Sequence, residues 1–202
     1  MTHENIQESL AQAKRDEVLI AMRYALVQPL GQGGFGVVWR AHDAHFDREV
    51  AIKFIASAEG EDERDASRQW REASLLRRLG LITGARLLDE GVFSGWSYIV
   101  MELVDGDPFP GILPDEDEAR MEVKCARARA LLSELARLHA AGIVHADLKP
   151  NNALIERESG RLVLLDFGLS RILGDDLTGK KARREGTPIY MSPEQLRAQR
   201  AL

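Results

Sequence analysis

Three short stretches of this chain gather residue types that can do chemistry together. His145-Ala146-Asp147-Leu148-Lys149-Pro150-Asn151-Asn152 brings a carboxylate, an ammonium and an amide into one loop-like segment. Asp147 can accept a proton from a hydroxyl. Lys149 can neutralise charge on a transferred phosphoryl group, and Asn152 can ligate Mg²⁺ through its amide oxygen. An ordinary polar loop has the same composition, so residue types alone leave both readings open. Asp166-Phe167-Gly168 follows the apolar run Leu162–Leu165. An aspartate at the end of such a strand is a hard oxygen ligand for Mg²⁺, and a plain Asp-x-Gly turn is the alternative. Val50-Ala51-Ile52-Lys53 sets a lysine inside an apolar strand. It is either an edge lysine facing water or a buried cation that needs an anionic partner. Glu72, on the helical face that also carries Leu76 and Leu79, is a suitable partner, and the pair would hold phosphates.

A fourth stretch, Gly31-Gln32-Gly33-Gly34-Phe35-Gly36-Val37-Val38, lies between two apolar segments. Glycines let backbone amides approach a phosphate with no Cβ in the way, although a bland hairpin turn is as good a reading of the glycines alone. A dinucleotide fold would place a helix after them, and a P-loop would end in Gly-Lys-Ser/Thr. Neither follows here, which leaves a strand, a glycine-rich turn and a second strand covering a nucleotide.

The elements that must position these residues can be read from patterning. Residues 24–30, 36–43 and 49–56 are short apolar stretches between glycine-rich or charged breaks and predict three strands. Residues 61–79 predict a helix. Residues 85–93 and 96–104 predict two more strands, joined at Ser94-Gly95. The Gly-, Pro- and Asp-rich segment 105–117 marks a lobe boundary. A helix starts after Pro114 with an acidic first turn, carries Leu131, Leu135 and Leu138 on one face, and stops at Gly142. Residues 4–22 hold scattered Ile6, Leu10, Val18 and Leu19 with poor periodicity, and predict a surface helix or a linker.

Composition bounds the rest. The chain has 202 residues, 45% apolar and 29% charged, enough for one large domain or two small lobes. A net charge of −5 argues against a protein that coats nucleic acid. The one cysteine, Cys125, excludes an internal disulfide and a multi-cysteine metal site, and no sequence feature lowers its pKa toward that of a nucleophile. No apolar run approaches the ~20 residues that span a bilayer. The polar N-terminus predicts no secretory signal, so the expected compartment is the reducing cytoplasm. His42-Asp43-Ala44-His45 is a weak metal candidate, because two further ligands would have to come from elsewhere. Lys180, Lys181, Arg183 and Arg184 read as a solvated basic loop.

Order and spacing remove the ambiguity of the single motifs. Gly-x-Gly-x-x-Gly-x-Val, Val-Ala-Ile-Lys, a helical Glu, His-x-Asp-x-x-x-x-Asn and Asp-Phe-Gly match the protein-kinase motif set. Gly186-Thr187-Pro188-Ile189-Tyr190-Met191-Ser192-Pro193-Glu194 closes the series, with Ser-Pro-Glu where the family has Ala-Pro-Glu. The chain resembles the eukaryotic-type (Hanks-type) Ser/Thr protein kinases, bacterial members especially, over roughly residues 24–200.

The resemblance implies an α+β, bilobal fold. Residues 1–23 would be an N-terminal helix or linker, and 24–104 a five-stranded antiparallel N-lobe with one main helix. Residues 105–202 would be a partial, mainly helical C-lobe. It implies ATP and Mg²⁺ as cofactors. Leu30, Gly31, Gln32, Gly33, Gly34, Phe35, Gly36, Val37 and Val38 would cover ATP. Val38, Ala51 and Leu154 would sandwich adenine, with Met101 as gatekeeper and Glu102 to Val104 as hinge. Lys53 and Glu72 would be the activating ion pair, and Leu76, His145 and Phe167 would stack in the regulatory spine. Asp147 would be the catalytic base, Lys149 the mark of the Ser/Thr class, Asn152 and Asp166 the metal ligands, and Thr187 part of the substrate segment. Expected partners are proteins bearing Ser or Thr, with no nucleic acid and no membrane contact from these residues.

Two departures qualify the match. Ala146 replaces the Arg that precedes the catalytic Asp in the family and pairs with an activation-loop phosphate, so activity should depend little on such phosphorylation. The chain also ends at Leu202, before the further helices the family carries, which predicts a fragment of a longer kinase. The alternative function is an inert truncated kinase or pseudokinase acting as a binding module. A small-molecule kinase of related fold is a third option that the 186–194 segment disfavours.

Overall fold

The computed structural model describes residues 3–33, 36–55, 84–167, 171–172 and 187–196. The expected 61–79 helix with Glu72 and Leu76, as well as Gly34, Phe35 and Gly168, lie outside the described residues. The chain divides into two compact units, Met1–Gly80 with Ala85–Leu103, and Leu81–Gly84 with Val104–Leu202.

The first unit is built on five antiparallel strands. They are β1 (Tyr24–Gly33), β2 (Gly36–Asp43), β3 (Arg48–Ile55), β4 (Leu87–Phe93) and β5 (Trp96–Glu102), in the order β1-β2-β3-β5-β4. The β4–β5 hairpin turns at Ser94 and Gly95, both left-handed at φ 50° and 79°, as a two-residue turn that follows strand twist requires. Because side chains alternate across a sheet, register sorts the strands into two faces. Trp39, Ile52 and Val100 are paired neighbours, as are Val37, Phe54 and Tyr98. All six are buried in one cluster.

That face has a cover which the sequence reading leaves as a helix or linker. Helix α1 (His3–Arg15) packs on β1 and β2. Ile6, Leu10 and Ala13, spaced i, i+4, i+7, are buried, and Ile6 and Leu10 join the sheet cluster together with Ile20. Burying each large aliphatic side chain favours the docked helix by about 1.5–3 kcal/mol. Residues 3–23 therefore belong to this unit, with Ile6, Leu10, Ala13 and Ile20 in its core. Its open end is locked by an ion pair: Arg23 donates two 2.7 Å hydrogen bonds to Asp43, which is fully buried. Tyr24 donates to Asp89 at 2.6 Å, joining β1 to β4.

The second unit opens with β6 (Gly106–Pro108), which pairs with β8 (Ala153–Glu156), itself paired with β9 (Leu162–Leu164). Helix α2 (Asp117–Ala140) has Asp117 and Glu118 in its first turn, favourable at the positive end of the helix dipole. Of the predicted stripe, Leu138 is buried and Leu131 and Leu135 are half-buried. Gly142, at φ 74°, ends the helix by donating to His139 O at 2.9 Å. Arg127 ties α2 to the preceding loop through the carbonyls of Pro110 and Ile112. After α2 come β7 (Ile143–Val144), which pairs with β10 (Arg171–Ile172), and a 3-10 turn at Pro150–Asn152 that leads into β8. Among the described residues, no helix is long and apolar enough to cross a membrane.

Candidate functional site

The second unit gathers the loop 145–152 around one carboxylate. Asp147 is 6% exposed and three donors reach it. Lys149 Nζ donates to Oδ2 at 2.7 Å, Asn152 Nδ2 donates to the same oxygen at 3.1 Å, and the Thr187 backbone N–H donates to Oδ1 at 3.1 Å. Lys149 Nζ also lies 3.1 Å from Thr187 Oγ1, so one ammonium links the loop to the 187–194 segment. Lys149, Asn152 and Thr187, all singled out by the motifs, thus meet at Asp147.

The backbone explains why they meet. Ala146 is left-handed at φ 64°, which turns the chain sharply between His145 and Asp147. His145 is 2% exposed. Its Nε2 lies 2.9 Å from Leu165 O, and a carbonyl can only accept, so Nε2 carries the proton. The other nitrogen, Nδ1, then accepts the Asp147 N–H at 3.4 Å, as a neutral ring can. Burial pushes the His145 pKa below its ordinary value, in keeping with that neutral form. The His145 ring also packs against Phe167 with centroids 5.1 Å apart. Of the expected three-residue stack, these two meet, and Leu76 is outside the described residues.

Asn152 is 5% exposed and spends both amide hydrogens on Asp147, donating to its carbonyl at 2.9 Å and to Oδ2. Its Oδ1 is thereby the atom left for a cation. Leu165 N–H donates to Asn152 O at 2.9 Å, continuing the β8–β9 register of Ala153 with Leu164. Asp166, left-handed at φ 59°, therefore follows at the same end of that hairpin as Asn152. Among the described residues, no group of three His, Cys, Asp or Glu side chains could hold a metal. One carboxylate and one amide oxygen, completed by phosphate and water, is a donor set that suits Mg²⁺ and no softer ion. The donors present fit that ion.

The first unit carries its own set. Register aligns Val38 with Lys53 and Lys53 with Ile99, and aligns Ala51 with Met101. By alternation, Val38, Ala51, Lys53 and Met101 share the sheet face opposite the α1 cluster. Lys53 is 5% exposed, so it is not an edge lysine in water. Leu30, Gly31 and Gln32 are exposed at the end of β1, where Gly33 pairs with Gly36 to close the turn. Gly36 sits at φ 138°, and a Cβ there would come within 2.1 Å of Phe54 O. Only glycine fits that position. Glu102 is half-buried, as are Val104 and Leu154 in the second unit. Of the weak metal candidate at 42–45, Asp43 is instead committed to Arg23, whose hydrogen bonds hold its carboxyl at a pKa of about 2.

Sequence reasoning missed three functional contacts. It assigned Asn152 to the metal and did not foresee its two bonds to Asp147. It did not foresee that Thr187 reaches Asp147 through its backbone N–H, for which side-chain identity gives no signal. It also left α1 out of the lobe.

Comparison with known proteins follows the same motifs. Residues 24–201 match the family profile described as Protein kinase domain. Serine/threonine-protein kinase pkn3 of Myxococcus xanthus is 35% identical over 88% of this chain and 34% of its own length. Serine/threonine-protein kinase PknL of Mycobacterium tuberculosis is 33% identical over 90% of this chain and 45% of its own length. Probable serine/threonine-protein kinase PknB of Lactococcus lactis is 32% identical over 91% of this chain and 29% of its own length. The chain thus spans less than half the length of these curated relatives.

Proposed function

Because the chain belongs to the protein kinase domain family, we propose that it carries the catalytic residues of an ATP-dependent protein serine/threonine kinase. The observation that carries this reading is the environment of Asp147. An ionised carboxylate offers about four acceptor sites. Lys149, Asn152 and the Thr187 N–H take three. The site left over, on Oδ1, accepts the proton of a substrate Ser or Thr hydroxyl as that oxygen attacks phosphorus. The bond to Asn152 and the 146 turn hold the carboxylate still, so little reorganisation is needed at the moment of transfer.

Lys149, already 2.7 Å from the base, supplies positive charge beside the transferred group. Asn152 Oδ1 and Asp166 are the proposed Mg²⁺ ligands. When bound, Mg·ATP supplies the γ-phosphoryl group and the metal's charge on its oxygens. Lys53 is the proposed anchor for the α- and β-phosphates, with Glu72 as its partner. Val38, Ala51, Met101, Glu102, Val104 and Leu154 would receive adenine, and residues 30–38 would cover the phosphates. The Thr187 side chain, bonded to Lys149, supports Ser/Thr over Tyr as the acceptor. The net charge of −5 supports protein rather than nucleic-acid substrates. The single cysteine agrees with work in a reducing cytoplasm.

The test is transfer of label from γ-labelled ATP to a basic protein, run beside small alcohols and aminoglycosides. The reading predicts label in phosphoserine and phosphothreonine of the protein. Label confined to the small molecules would replace it with a small-molecule kinase.

A further inference from the structure

Helix α1 does more than cover the sheet. Strand β1 reaches the glycine-rich turn through an irregular path: its pairing with β2 jumps between Leu26 and Gln28 and again between Pro29 and Gly31. At the first jump Val27 has no cross-strand partner in the register, which marks a bulge in β1. Lys14, in the last turn of α1, donates its Nζ to that carbonyl. The helix thus holds β1 by a hydrogen bond at the bulge itself. Behind the turn, Val37 and Phe54 are fully buried in the cluster that Ile6 and Leu10 complete. Phe54 O is also the atom against which Gly36 is pressed. Both flanks of the turn therefore rest on α1, one through a bond at Val27 and the other through the apolar cluster.

We propose that α1 is a positioning element for the glycine-rich hairpin, with Lys14 as its positioning residue. It fixes the course of β1 beyond the bulge as far as Gly33, and so the strands of the hairpin proposed to receive nucleotide phosphates. This role in nucleotide binding rests on the kinase reading above, whereas the support given to the hairpin does not. Lys14 is not among the groups proposed to transfer phosphate, so its loss is expected to alter nucleotide affinity and leave the transfer step nearly unchanged.

The test uses the full chain with Lys14→Met, which keeps the apolar stem and removes the donor, and Lys14→Arg, which retains one. Hydrogen exchange is followed in peptides covering residues 27–39, with those covering β4 and β5 as reference. The affinity for Mg²⁺ with a non-hydrolysable ATP analogue is measured in parallel, together with KM and kcat. Lys14→Met should speed exchange in 27–39 and leave β4 and β5 unchanged. It should also weaken nucleotide binding and raise KM for ATP roughly three- to tenfold, the scale of one exposed hydrogen bond, with kcat within about twofold. Lys14→Arg should restore both. Unchanged exchange in 27–39 overturns the proposal, as does faster exchange with unchanged nucleotide affinity. If the wild-type chain binds no nucleotide but Lys14→Met still loosens 27–39, the kinase reading fails and the support of the hairpin by α1 holds. A Leu10→Ala variant, monitored by the emission of Trp39 and Trp96 in the same cluster, checks the apolar contact independently. A red shift with no change in 27–39 exchange would also overturn the proposal.

Discussion

At the scale of single residues, the account rests on which hydrogens each group has left to give. Thr187 touches the loop twice, through its N–H to Asp147 and its hydroxyl to Lys149. Thr187→Val removes only the second contact. It should lower kcat about tenfold, ~1.4 kcal/mol in the transition state, while Thr187→Ser stays close to wild type in the same assay. His145 makes a second prediction. Burial lowers its pKa in the fold, so between that value and the unfolded value of about 6.5 the unfolded chain binds the extra proton. Stability is therefore full above about pH 6.5 and falls as the pH drops below it. Denaturant midpoints at pH 7.5 and 5.5 should show the loss, and His145→Phe, less stable throughout, should show a smaller slope. The sequence made Asp147, Asn152 and Asp166 visible because their spacing is fixed along the chain. It could not show that Asn152 spends both hydrogens on Asp147, since that depends on how Ala146 turns the backbone.

At the scale of elements, strands were legible and the docking of the first helix was not. Each strand of the sheet is an apolar stretch bounded by glycine or charge, and Ser94-Gly95 names its own hairpin. Helix α1 shows only Ile6, Leu10 and Ala13 as apolar anchors, one per turn. The surface that accepts them is assembled from β1 and β2 and backed by β3 and β5, far along the chain. Nothing local announces that surface. The Arg23–Asp43 pair is hidden for the same reason, twenty residues apart with no period linking them. The link from α1 to β1 also carries strain. Ala21 and Met22 are both left-handed, at φ 52° and 55°, in the tight turn where Ile20 and Tyr24 exchange hydrogen bonds. Met22 is 91% exposed and has little packing to lose. Met22→Gly should therefore stabilise the unit by about 1 kcal/mol, read as a higher denaturant midpoint at unchanged slope. A lower midpoint would mean that Met22 holds the turn by contact.

At the scale of the whole molecule, the chain presents two units, each carrying part of one motif set. The first bears the glycine-rich hairpin and Lys53, and the second the Asp147 loop and Asp166. Acid should reach the first unit through Asp43. Its carboxyl is held at a pKa of about 2 by Arg23, against an ordinary 3.8, so the stability it lends is present above about pH 4 and lost as the pH falls toward 2. Asp43→Asn should remove that part of the acid transition. The missing Arg before Asp147 bears on regulation: with Ala146 there, Thr178→Ala should leave turnover nearly unchanged, and a hundredfold drop would show that a phosphate on that loop matters after all. The central claim is that Asp147 takes the proton of the acceptor hydroxyl. Single-turnover transfer from saturating Mg·ATP, compared between the wild-type chain and Asp147→Asn with nucleotide affinity measured on the same samples, tests it most directly. The account predicts equal affinity within about threefold and a transfer rate lowered by about a hundredfold or more. Equal rates, or a wild-type chain that binds Mg·ATP and transfers nothing, would contradict it.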